Sequence, residues 1–347
     1  MEYTRLGNSG LMVSRFAYGN SITAGDQVEE QVARSCVHAA LESGITTFDT
    51  ADVYADGAAE LILGRALADH PREDVVICTK VGRSKRADPN AGRLSRKHIR
   101  DSIDGSLSRL GTDYVDLYQA HRFDNETPLE ETMQAFADVV RAGKALYIGV
   151  SEWPAAQVEL GAKLAAELSI PLVSSQCQYS LLWRVIETDL IPACDRLGIG
   201  QIAWSPLAGG VLTGKYRPGE APPQSSRATL GIGAKSLGRW DFLNEVVLRS
   251  VARLAPLAEE AGLTVAQLAL AWILRNPSVS STIVGASRPS QLRENLRGLS
   301  VVLEDDLVRR VEEAVAPAVR SDPRLTADPL GPAARFAPQP DREENPQ

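Results

Sequence analysis

Residues 46–54 read Thr-Thr-Phe-Asp-Thr-Ala-Asp-Val-Tyr, and the two halves of the stretch ask for different backbones. Thr46, Thr47 and Phe48 are β-branched or aromatic and favour an extended strand, which ends on a carboxylate, Asp49. The second half leaves the strand and carries a phenol, Tyr54, five residues beyond that carboxylate. Two apolar runs downstream end the same way. Val75-Val76-Ile77-Cys78-Thr79 delivers Lys80, and Val115-Asp116-Leu117-Tyr118-Gln119-Ala120 delivers His121. An acid, a phenol, an amine and an imidazole thus stand at or just beyond the ends of three successive strands.

Outward from this stretch, strands and helices alternate. Residues 2–15 hold two extended pieces around Gly7-Asn8-Ser9-Gly10, a hairpin signal, and Phe16-Ala17-Tyr18-Gly19 reads as a short buried strand. Asp26-Gln27-Val28-Glu29 has capping-box spacing, and Val28, Val32, Cys36 and Ala39 share a face, so a helix is predicted from there to Gly44. Strands over 46–51, 74–80 and 115–121 alternate with helices over 58–69 and 96–110, the latter closed by Gly111. Thr127-Pro128-Leu129-Glu130 combines a cap, a proline at the first helical position and a capping-box glutamate. Further strands are predicted at 146–151, 172–176, 201–205 and 282–285, with helices over 154–168, 187–197 and 289–299. Alternating βα units imply a parallel sheet, and eight of them imply an α/β fold of the closed (β/α)8 TIM barrel type. A doubly wound sheet that bound a dinucleotide would carry Gly-x-Gly-x-x-Gly, which is absent.

One barrel domain is therefore expected over residues 1–315, with an N-terminal β-hairpin, a long Gly/Pro/Ser-rich loop over 208–240 after the seventh strand, and an extra helix over 303–315. Residues 245–276 read as two helices, the second starting at Thr264. From Ala316 onward seven of the 20 prolines fall in 32 residues without an apolar period, so 316–347 is expected to be an irregular tail.

Composition narrows the function. The 347 residues are 44% hydrophobic and 23% charged, ordinary for a globular enzyme. A net charge of −7, with basic and acidic residues interspersed, gives no footprint for nucleic acid. The four cysteines show no C-x-x-C pair and no metal-ligand spacing. Neither a basic-then-apolar leader nor an apolar run of about 18 residues is present, which points to the cytoplasm and to no membrane span. The outer helices carry no apolar stripe beyond what their own packing uses, so no oligomeric state follows.

A TIM barrel assembles its active site from strand ends at the C-terminal face. Those ends are Asp49, Lys80, His121, Ser151, Gln176, Trp204-Ser205 and Gly285, with Tyr54 on the loop after the second strand. The set suits hydride transfer to a carbonyl. Charge building on oxygen needs a proton donor, and Tyr54 can serve if a neighbouring ammonium, Lys80, brings its reference pKa of about 10 down. Asp49 would anchor Lys80, and His121 would orient the carbonyl. At the other end of the barrel sequence, Ser287-Arg288-Pro289 opens a helix whose N-terminal amides and arginine suit a 2′-phosphate, favouring NADPH over NADH. Gly210-Val211-Leu212-Thr213-Gly214-Lys215-Tyr216 is one residue short of a nucleotide P-loop and lacks its final Ser/Thr.

Asp49, Tyr54, Lys80 and His121 together resemble the catalytic tetrad of the aldo-keto reductases. The resemblance spans roughly residues 3–315 and is sharpest in Gly149-Val150-Ser151, Trp204-Ser205-Pro206-Leu207, Gly214-Lys215-Tyr216, and Gly285-Ala286-Ser287 with Gln291, Glu294 and Asn295. The last three patterns are similar to the branch that holds the potassium-channel beta subunits and bacterial reductases. It implies that Ser151 and Gln176 hold the nicotinamide carboxamide and that Tyr179 stacks on its ring. It further implies that Trp204, Ser205, Pro206, Leu207 and Gly209 line the pyrophosphate path, with positive charge from Lys215 and Arg227. Gly285, Ser287, Gln291, Glu294 and Asn295 would hold the adenosine end, Arg288 beside them. Many relatives carry Asn or Arg where this chain has Glu152, and the channel branch often has Asn in place of His121, which favours a working reductase. Tyr18, Trp153 and Trp183 are candidate substrate walls. The alternatives are a cofactor-binding regulatory subunit, or a reductase of keto-sugars or other biosynthetic intermediates.

Overall fold

A computed structural model describes residues 1–21, 28–84, 88–224, 226–229, 237–238 and 240–326. β1 (Tyr3–Arg5) and β2 (Met12–Ser14) pair antiparallel, as the Gly7–Gly10 turn signal requires. Leu6 and Val13 of this hairpin pack with Cys78, Leu117 and Ile202, so the hairpin plugs the floor of the barrel. Gly7 adopts φ 57 against the Gly198 carbonyl, where a Cβ would collide.

Eight parallel strands follow: β3 (Phe16–Gly19), β4 (Thr47–Asp49), β5 (Val76–Val81), β6 (Val115–Ala120), β7 (Ala145–Ser151), β8 (Leu172–Gln178), β9 (Gly200–Trp204) and β10 (Val279–Val284). They close in the order β10-β3-β4-β5-β6-β7-β8-β9, the predicted TIM barrel. Every residue of β6 is buried, as expected of a strand covered on both faces. Its one carboxylate, Asp116, is satisfied by Arg72 at 2.7 Å and by the Ile77 amide at 2.8 Å.

The helices around the barrel are α1 (Glu30–Glu42), α2 (Ala58–Leu67), α3 (Arg96–Leu110), α4 (Leu129–Arg141), α5 (Ala155–Glu167), α6 (Leu190–Leu197), α7 (Glu245–Ala252), α8 (Leu254–Glu260), α9 (Val265–Leu274), α10 (Pro289–Leu296) and α11 (Asp305–Val315). α3 has the predicted ends, with Ser95 capping the His98 amide and Gly111 left-handed at φ 67. Elsewhere the helix starts differ from those expected. α4 has Pro128 rather than Thr127 at its N-cap position, with no side-chain cap, and the Thr127 hydroxyl donates to Asp124 at 2.5 Å. α1 begins at Glu30, and its buried stripe runs through Ala33, Cys36, Val37 and Ala40 instead of Val32. The capping-box residues Asp26 and Gln27 lie outside the described residues. Residues 245–260 form two helices broken at Arg253, so the region to 276 holds three; α9 keeps the complete Thr264/Gln267 capping box.

After α11 the chain returns to the barrel. The Arg320 amide donates to the Leu182 carbonyl at 2.9 Å, and the Arg184 amide to the Arg320 carbonyl at 2.7 Å. The remainder of the expected tail, 327–347, lies outside the described residues, as does most of 230–239 in the long loop. No single helix among the described residues is long and apolar enough to cross a membrane.

Candidate active site

β4, β5 and β6 are neighbours in the ring, so the groups they release at their C-terminal ends meet. Asp49 and Lys80 are both buried, and the Lys80 ammonium donates to Asp49 Oδ1 at 2.5 Å and to the Thr50 carbonyl at 2.9 Å. Burial pulls this ammonium down, but Asp49 and Tyr54 outweigh it and leave its proton affinity above the ordinary lysine value. Lys80 Nζ lies 5.1 Å from the centre of the Tyr54 ring. That ring meets the His121 imidazole edge-on, 5.6 Å between centres at 81°. Burial, then the charges of Arg122, Lys80 and Arg83, holds His121 well below its ordinary value, so the imidazole is neutral near pH 7. The four residues singled out in sequence therefore form one cluster.

Two glutamines complete it. Asp49 Oδ2 accepts from Gln176 Nε2 at 2.8 Å and from Gln119 Nε2 at 3.4 Å. Gln119 escaped the sequence reading, although strand alternation puts it on the face of His121, two residues on. The Gln176 amide nitrogen is committed to Asp49 and Gln119, which leaves its carbonyl oxygen as the end available to an incoming N–H donor.

The residues expected at a cofactor follow around the rim on β7 to β10. Ser151 is buried, and its hydroxyl accepts from Arg122 Nη1 at 3.3 Å. Glu152, left-handed at φ 55, uses one carboxylate oxygen to accept from the Gln178 amide at 2.6 Å and from Trp204 Nε1 at 2.8 Å. A single buried acid thus ties together the ends of β7, β8 and β9 that carry Ser151, Gln176 and Trp204. Ser205, Pro206, Leu207 and Gly209 form a tight turn in which Ser205, Ala208, Gly209 and Gly210 are all left-handed. Its amides close on the turn itself, Gly209 to Ser205 Oγ and Gly210 to the Leu207 carbonyl. Lys215 reaches over it: a Cβ at Gly210 would stand 3.2 Å from the Lys215 Nζ. Arg227 is desolvated, which lowers its proton affinity, and its Nε is buried without a hydrogen-bond partner. Gly285, Ser287, Arg288 and Glu294 are exposed beyond β10; Ser287 N and Oγ both donate to Gln291 Oε1 at 3.0 Å, Arg288 caps α10, and Asn295 is half-buried near its end.

The structure moves several aromatic candidates away from the site. Tyr179 cannot stack on a nicotinamide. β8 runs on to Gln178, and Tyr179 turns outward, its hydroxyl donating to Glu187 at 2.8 Å and its ring against Trp272 at 5.5 Å. Tyr18 packs on Phe48, Trp153 on Phe123 and Trp183 on Trp240 and Phe242, each enclosed in the core. The four cysteines are buried and free, and no metal-ligand cluster occurs among the described residues.

Behind the Tyr54 turn lies an acid pair that sequence alone did not single out. Ala55, Asp56 and Gly57 are left-handed in succession, and a Cβ at Gly57 would press to 2.8 Å from Arg109 Cδ. Arg109 donates to Glu60 at 2.7 Å, Thr79 donates to the other Glu60 oxygen at 2.5 Å, and Asp52 Oδ1 is buried without a partner. Burial and then the Glu60 charge push the Asp52 carboxyl up to about 7. Since the folded value exceeds the unfolded one, the fold binds the extra proton between about pH 4 and 7 and loses stability as pH rises through that window, by a few kcal/mol at most. Asp52→Asn is expected to melt above the parent at pH 8, with a gap that narrows toward pH 5. A pH-independent gap would contradict the buried-acid account.

A sequence model described as the Aldo/keto reductase family matches residues 16–316. The chain is 41% identical over 333 residues to a rice (Oryza sativa subsp. japonica) protein named "Probable voltage-gated potassium channel subunit beta", covering 94% of this chain and 99% of the relative. A protein of the same name from Arabidopsis thaliana is 42% identical over 322 residues, covering 91% of this chain and 97% of the relative.

Proposed function

The chain belongs to the aldo/keto reductase family, and on that premise we propose that it reduces a small aldehyde or ketone to the alcohol with NADPH. One arrangement supports this most. A buried lysine, kept charged by Asp49, faces the Tyr54 ring beside an imidazole kept neutral.

When bound, the nicotinamide supplies the hydride. Negative charge then builds on the carbonyl oxygen and has to be met by a proton. Tyr54 takes that role, because a neutral His121 offers a hydrogen bond to orient the carbonyl but is a poor acid. Lys80 stabilises the phenolate left behind, and Asp49 with Gln119 and Gln176 keeps Lys80 from turning away.

The remaining rim residues fit a dinucleotide. The Gln176 carbonyl and the Ser151 hydroxyl suit the carboxamide, being one acceptor and one donor on adjacent strands. A desolvated guanidinium with an unpartnered nitrogen, Arg227, calls for an anion, and Lys215 lies over the same turn. The amides of Ala208, Gly209 and Gly210 are already used within the turn, so the Lys215 and Arg227 cations would supply the positive charge for the pyrophosphate. Arg288 at the head of α10 would favour the extra phosphate of NADPH.

NADPH oxidation against a panel of small aldehydes and ketones, with NADH in parallel, tests the assignment. Turnover faster with NADPH supports it. Tight cofactor retention without turnover would favour the second reading, a regulatory subunit whose bound redox state a partner senses, which the names of the relatives motivate.

A further inference from the structure

We infer that Gln178 is a cofactor-binding residue, its side-chain amide holding the carboxamide of the nicotinamide. This rests on the dinucleotide reading above and names a contact that reading did not include. The pairing of β8 with β9 decides where the side chain goes. Gln178 stands opposite Trp204, and Gln176 opposite Ile202. Ile202 packs with Cys78 and Leu117 inside the barrel, and Gln176 reaches Asp49 across it. Strand alternation then turns Gln178 and Trp204 inward as well, one step nearer the mouth. On the other side β7 sets Ser151 beside Gln176. Gln178 is therefore the next inward residue above the two that suit the carboxamide.

Its side chain is 1% exposed, and neither Nε2 nor Oε1 has a hydrogen-bond partner among the described residues. A buried amide in that state is destabilising, and a ligand that offers it a polar partner relieves the penalty. A carboxamide does so, with two lone pairs on its oxygen and two protons on its nitrogen. Gln176 takes one of the protons on its carbonyl oxygen, since its own nitrogen is committed to Asp49 and Gln119. Ser151 has one hydroxyl proton for the oxygen. Glu152, which follows β7, brings a carboxylate, a group that accepts and does not donate. One of its oxygens already holds the Gln178 backbone amide and Trp204 Nε1. The second lone pair of the carboxamide oxygen falls to Gln178 Nε2. Glu152 serves that contact indirectly, by fixing the backbone from which the Gln178 side chain starts.

Gln178→Met keeps the volume and removes both polar atoms. Without cofactor it is expected to melt at or above the parent, because the unpartnered amide is gone. By titration calorimetry it should bind NADPH about three- to tenfold more weakly. Binding of 2′,5′-ADP, which keeps the phosphorylated adenosine and lacks the nicotinamide, should match the parent. Gln178→Glu, of the same shape but without the N–H, should not restore NADPH affinity. Three results overturn the proposal while leaving the reductase assignment intact: NADPH affinity unchanged in Gln178→Met, NADPH and 2′,5′-ADP weakened alike, or parent-like NADPH binding by Gln178→Glu. A large fall in the melting temperature of Gln178→Met does the same, since it gives the side chain a structural role. A parent chain that binds neither NADPH nor 2′,5′-ADP sinks both readings.

Discussion

Tyr54→Phe is expected to bind NADPH as the parent does and to lose carbonyl turnover by about two to four orders of magnitude, the range a positioned proton donor contributes. The substitution removes one oxygen and keeps the ring. The ring's edge-on contact with His121 and its place over the Lys80 ammonium should survive, because both depend on the aromatic body. The lysine keeps Asp49 and the Thr50 carbonyl as partners, so the cluster should not collapse. What disappears is the proton source. His121 is a poor substitute, since burial and three surrounding cations hold its imidazole neutral and raising its charge would cost more still. Steady-state kinetics together with fluorescence titration of NADPH separate the two effects. Parent-like turnover in this variant would remove Tyr54 from the mechanism, and weakened NADPH binding would give it a structural role instead.

Much of this site was visible in the sequence because a TIM barrel converts strand order into position. Asp49, Lys80 and His121 each follow a short apolar run, so their meeting required only the right strand count. The helix expected over 96–110 likewise survived intact, since the Gly111 stop acts within a single turn. Interactions that cross the barrel were not legible. Gln176 reaches Asp49 from 127 residues away, and nothing local to either residue announces that bond. Tyr179 was misplaced for a parity reason: two more strand residues than expected send its ring to the outer face, onto Trp272. Thr127 does not cap α4: the helix starts one residue later, behind Pro128, and the Thr127 hydroxyl turns back to Asp124.

Asp49→Asn is the more severe lesion, because it acts on stability and chemistry together. Asparagine can still accept one hydrogen bond from Lys80 but cancels the charge that keeps a buried ammonium tolerable. Removing one member of a buried pair typically costs about 3–5 kcal/mol, a large share of a stability of roughly 5–15 kcal/mol. The sign of the pH effect follows from the linkage. In the parent, the Lys80 value lies above its unfolded one, so its contribution is present below the unfolded pKa and lost only as pH rises through the folded value, in strong alkali. Without Asp49, burial becomes the dominant influence and the lysine value falls. Stability should then improve as pH is raised toward the unfolded lysine value, where the fold buries a neutral amine, whereas residual turnover, which needs the ammonium, should recover as pH is lowered. Asp49→Asn combined with Lys80→Met should regain much of the lost melting temperature but none of the turnover, since the double variant buries no unpaired charge and has no ammonium to stabilise the phenolate. Melting curves over a pH series for the parent, the two single variants and the double variant decide the matter. If the single Asp49→Asn variant melts with the parent at neutral pH, the lysine is not held by that carboxylate, and the protonated Lys80 on which the proton-transfer step depends loses its physical basis.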